Sequence, residues 1–88
     1  MYDVEVFTNN NFKVLSYFYD NKDTNNLIKT TQKEVGDALK LSRVTINTVL
    51  KKLKDDGYII HDSTRVGRYY LTELGIKMVE IFRKAYKE

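Results

Sequence analysis

The chain has 88 residues, 42% of them hydrophobic and 31% charged, enough for one small domain with a modest core and too apolar for a disordered tail. No apolar run approaches the roughly 18 residues that cross a bilayer. The acidic, polar opening MYDVEVFTNN is unlike a signal peptide, and the absence of cysteine excludes disulfides and thiolate chemistry, so a cytoplasmic protein is expected.

The net charge of +3 is unevenly spread. Residues 1–39 hold four lysines against six carboxylates; residues 40–88 hold eleven Lys and Arg against six. Localised basic charge of this kind is the footprint of a nucleic-acid partner.

In chain order, residues 2–7 alternate loosely and read as a strand or an arm. Phe12, Leu15, Phe18 and Tyr19 recur at helical spacing and predict a helix over roughly 11–20, with Asn10 or Asn11 placed to cap it. The polar run Asp20–Asn26 is a loop, and Leu27-Ile28-Lys29 is a short edge strand. Thr31-Gln32-Lys33-Glu34 is a capping box opening a helix that turns Val35, Ala38 and Leu39 inward and ends near Lys40. Ser42 caps the next helix, in which Ile46, Val49, Leu50 and Leu53 face inward and Gly57 closes the end in the left-handed conformation.

Two short helices joined by a tight turn, the second one basic, make a helix-turn-helix over residues 31–56. A hairpin follows: a strand at 58–61, a polar turn at 63–67 and a second strand at 68–71. In this position a hairpin is a wing. A C-terminal helix over 73–87 starts at the cap residue Thr72. Its apolar arc, including Met78, Ile81, Phe82 and Ala85, is wider than one small domain covers, and predicts a homodimer. The fold class is α+β, a mostly helical winged helix-turn-helix occupying residues 1–88 as a single domain.

On the second helix Val44, Thr48, Lys51 and Asp55 face away from the core, with Asn47 and Lys52 on the flanks and Arg43 and Thr45 in the first turn. Arg43 suits guanine and Asn47 adenine; Thr45 and Thr48 suit bases or phosphate; Lys51 and Lys52 suit phosphate. Val44 fits a thymine methyl group or a second copy of the helix. Arg65 and Arg68 flank Val66-Gly67 at the wing, where arginine suits the minor groove. His61, the one histidine, has no companion to hold a metal and is expected on the hairpin surface. No catalytic set and no glycine-rich phosphate loop is present, and nothing points to an enzyme, a cofactor or a small-molecule ligand.

The runs Leu41-Ser42-Arg43-Val44-Thr45, Gly57-Tyr58-Ile59, Thr64-Arg65-Val66-Gly67-Arg68 and Tyr70-Leu71-Thr72-Glu73-Leu74-Gly75, with Val79-Glu80-Ile81-Phe82, resemble the TubR family over about residues 31–88. These are winged-helix centromere-binding proteins of plasmid and phage partition systems that use a tubulin-like GTPase. The Leu-Ser and Gly-Tyr-Ile parts are also similar to MarR-type winged helices. The TubR resemblance implies a dimer on repeated double-stranded DNA sites and repression of its own operon. It further implies DNA contacts by Ser42, Arg43, Thr45, Arg65 and Arg68, and a dimer contact through Val44 and Thr48. The run of Arg68 directly into Tyr69-Tyr70 departs from it by making the wing compact.

The main expectation is thus a partition protein joining DNA to a tubulin-like GTPase. One alternative is a winged-helix transcriptional regulator without a partition role. Another is a protein-binding winged helix, which would show none of the steep salt dependence that phosphate contacts impose.

Overall fold

The structure is a computed structural model that describes residues 10–87; the strand or arm expected at 2–7 lies outside the described residues. In order come α1 (Asn10–Asn21), β1 (Leu27–Lys29), α2 (Gln32–Leu39), α3 (Arg43–Asp55), β2 (Ile59–His61), β3 (Arg68–Leu71) and α4 (Glu73–Lys87). The three strands form one antiparallel sheet in the order β1-β3-β2. Together they make the winged helix-turn-helix expected from the sequence. Among the described residues no helix is long and apolar enough to cross a membrane.

Local chemistry sets the helix ends. The Thr31 hydroxyl accepts the Glu34 amide at 3.1 Å, while Glu34 Oε1 accepts the Thr31 amide at 3.0 Å, so α2 opens on a complete capping box. Lys40 ends α2 in the left-handed region, and the chain folds back so tightly that the Leu41 amide donates to the Gly36 carbonyl. Ser42 Oγ then accepts the Thr45 amide at 3.1 Å and starts α3. Gly57, with φ of 83°, leaves α3 in the left-handed region as expected.

Two expectations for the helices are corrected. Asn10 and Asn11 are already helical, so neither takes the cap position of α1. Ala38 is exposed; beside Val35 the buried position of α2 is Gly36, because the tight turn rolls that side of the helix against α3.

The core lies between α1, α3 and the inner face of the sheet. Phe18, Ile28, Ile46, Leu53, Ile59, Val14, Val35 and Val79 are its largest fully buried side chains. Strand alternation explains the sheet's share. Ile28 opposes Tyr69 and Ile59 opposes Leu71, all buried, whereas Ile60 opposes Tyr70 on the outer face. Phe18 packs on the Tyr69 ring at 5.3 Å between centroids.

Tyr58, expected in the hairpin's first strand, lies just before β2. Its carbonyl instead accepts the Thr72 amide and hydroxyl. That same hydroxyl accepts the Gly75 amide at 3.1 Å, so Thr72 caps α4.

Candidate nucleic-acid interface

The order of caps and turns places α3 beside the wing. The wing turn is organised by Asp62, whose carboxylate accepts the Thr64 amide at 3.0 Å and the Thr64 hydroxyl, while its carbonyl accepts the Arg65 amide. These bonds to the ionised form, the hydroxyl's first, hold the Asp62 carboxyl below its ordinary range; nearby Arg65 and Arg68 act in the same direction. Val66 stands out at the tip, 94% exposed. Gly67 sits further in, with φ of 74°, where β3 passes the end of β1. Its carbonyl accepts the Thr30 amide, and a β-carbon there would lie 2.9 Å from the Thr30 carbonyl oxygen. Gly67 therefore supplies the left-handed backbone that ends the wing turn and also ties the wing to the end of β1.

The wing and the second helix of the helix-turn-helix enclose one groove of about 650 Å³. Arg43 and Asn47 line it from α3, Arg65 and Val66 from the wing, and Gln32 and Lys33 from the start of α2. A second, adjoining groove of about 320 Å³ runs along α3, between Asn47, Lys51 and Lys54 on one side and His61 and Tyr69 on the other. One side of α3 thus presents residues at spacings of four, Arg43, Asn47 and Lys51, toward the hairpin.

The remaining sequence-derived residues are placed elsewhere. Val44, Thr45 and Thr48 turn to the opposite side of α3, beside Asn10 and Asn11 of α1, with Val44 76% exposed. Ser42 and Thr45 serve the helix start, the Ser42 hydroxyl donating to Thr45 Oγ1 at 2.9 Å. Lys52 pairs with Asp56 at 3.1 Å, toward the far end of α3. Arg68 is a half-buried residue of β3, opposite Lys29 and on the other face of the strand from Tyr69. It therefore shares neither groove with Arg65, and the picture of two arginines flanking the tip gives way to one.

Among the residues expected at a dimer interface, Met78 and Phe82 pack on the chain's own core, Phe82 edge-on to Phe12 at 5.3 Å. They also line a separate apolar groove of about 280 Å³ with Leu15 and Leu53. Ile81 is exposed and Ala85 half-buried.

Sequence reasoning missed Gln32, Lys33 and Tyr69 and left His61 on an undistinguished surface. His61 stacks on Tyr69 with centroids 4.8 Å apart and planes 25° apart. Burial raises the Tyr69 hydroxyl above its ordinary pKa, and a hydrogen bond from Gln32 partly offsets this. The register His61 opposite Tyr69 creates the stack, and only the sheet's pairing reveals it. Among the described residues no group of three His, Cys, Asp or Glu is placed to hold a metal.

A sequence profile of the Crp-like helix-turn-helix domain matches residues 13–74, most of the chain. Among solved structures, the chain is similar to MepR, a transcription regulator of the Staphylococcus aureus multidrug efflux pump MepA. The identity is 27% and the TM-score 0.75, over 96% of this chain and 62% of MepR. It is also similar to MepR in the S. aureus MepR–DNA complex, with 26% identity and a TM-score of 0.73 over 96% of this chain and 61% of that one. The transcriptional regulator SlyA, at 20% identity and a TM-score of 0.64 over 96% and 65% of the two chains, shares the fold. The chain spans about three fifths of the length of MepR. No curated protein sequence matches it.

Proposed function

The chain belongs to the Crp-like helix-turn-helix domain family, and on that premise we propose that it is a winged-helix transcription regulator that binds specific double-stranded DNA as a homodimer. One observation carries the reading: Arg43 and Asn47 of α3 and Arg65 of the wing line the same groove. A helix and a hairpin that converge in this way suit a major groove and the minor groove next to it. Arg43 reads guanine, Asn47 reads adenine, Arg65 enters the minor groove and Lys51 holds phosphate. The MepR–DNA complex supports the same class of ligand.

The partition role implied by the TubR resemblance uses this same surface and adds a tubulin-like GTPase. The comparisons lend that addition no support, whereas the likeness to MepR, a transcription regulator, supports a regulator. The regulator is therefore the preferred reading.

Selection of bound sequences from randomised duplex DNA, followed by fluorescence anisotropy on the enriched site, tests the proposal. Enrichment of a defined site is expected. Arg43→Ala should cost about 1–3 kcal/mol and relax the preference at one base pair. Failure to enrich any sequence, or affinity that ignores salt, would contradict the reading.

A further inference from the structure

A helix in one groove and a wing in the next straddle one sugar–phosphate strand, which must cross the saddle between them. The floor of that saddle is His61. With Gln32, Asn47 and Tyr69, it lines both the groove carrying Arg43 and Arg65 and the adjoining groove carrying Lys51 and Lys54, and it is the one of these four that is exposed on the hairpin. We infer that His61 is a seat for a DNA backbone phosphate, its ring held flat by Tyr69 and a ring N–H donating to the anion. The inference rests on the proposed DNA-binding function and adds a contact to it.

Three observations carry it. The imidazole is exposed but positioned, because it stacks on the ring of Tyr69, which is itself only 6% exposed and packed on Phe18. Tyr69 is its one partner among the described residues, so both ring nitrogens are available to a ligand. The charged groups around it are unbalanced. Arg43, Lys51, Lys54 and Asp55 face it from α3, Lys33 from α2 and Arg65 from the wing. Lys33 is already paired with Asp37 at 2.9 Å, yet cations still outnumber the one facing carboxylate, Asp55. Such a surface favours an anion, and an imidazole N–H there adds a hydrogen-bond donor.

The test measures binding of a mixed-sequence 20-base-pair duplex (length chosen as roughly two helical turns) by fluorescence anisotropy at one low salt concentration. Wild type is compared with His61→Phe, which keeps a ring on Tyr69 but has no N–H, and with His61→Ala. Affinity should fall several-fold in both variants. Equal affinities for wild type and His61→Phe would overturn the inference. So would a loss confined to His61→Ala, which marks the ring as packing only. If wild type binds no duplex, the DNA-binding reading itself fails, and this inference with it.

Discussion

A β-carbon on Gly75 would collide with the Tyr58 carbonyl oxygen and come within 2.9 Å of Leu71 Cδ1. That carbonyl is held in place by Thr72, so it has nowhere to retreat. Gly75→Ala should therefore push α4 off the sheet and cost about 1–3 kcal/mol in urea unfolding, the usual range for overpacking. The Leu-Thr-Glu-Leu-Gly run, which reads in the sequence as a family likeness, has this close approach as its physical cause. Asp62 is the other residue with a distinct signature. Its folded-state pKa is lowered, so the order it gives the wing turn is present at neutral pH. That order is lost as pH falls through the lowered range, below the usual aspartate value of about 3.9. An NMR titration of the Thr64 amide should show this acid step, and Asp62→Ala should abolish it. A Thr64 amide that moves only with global unfolding would contradict the assignment.

Among the elements, α1 and α4 are joined by polar chemistry as well as by Phe12 and Phe82. Arg83 Nη2 donates to Asp20 at 2.8 Å and also to the hydroxyl of Ser16, and its guanidinium lies 4.9 Å from the Tyr19 ring centroid. The Tyr19 hydroxyl donates to Glu80 at 3.0 Å, which raises its pKa. The group is partly exposed, so Arg83→Ala should cost about 1 kcal/mol and leave DNA affinity unchanged, as thermal unfolding and anisotropy together would show. These partners lie more than sixty positions apart in sequence. No local pattern announces them, whereas the caps at Thr31, Ser42 and Thr72 were legible because donor and acceptor are three residues apart. Hydrophobic period was reliable for long α3, where all four expected core residues are buried. In eight-residue α2 it placed Val35 and Leu39 correctly and missed only Ala38, because the turn brings Gly36 inward instead. Of the residues expected at a dimer interface, Ile81 of α4 and Val44 of α3 are the exposed large apolar ones. Ile81→Lys should give a monomer by analytical ultracentrifugation while Val44→Lys remains dimeric; the reverse pattern would move the interface to α3.

At the scale of the molecule, the candidate site exists because the sheet carries the wing to the same side as one flank of α3. Arg43, Asn47 and Arg65 could be nominated from sequence since position in a helix-turn-helix and in a hairpin turn singles them out. Arg68 could not be told from Arg65 without knowing where β3 begins, and His61 could not be placed without its register against Tyr69. The claim that helix and wing grip neighbouring grooves is tested most directly by methylation footprinting on a selected duplex, which reports guanine N7 in the major groove and adenine N3 in the minor groove. Protection of both, in adjacent grooves on one face, is predicted, with Arg65→Ala releasing the minor-groove protection alone. Protection confined to one groove in the wild type, or lost equally from both in Arg65→Ala, would contradict it.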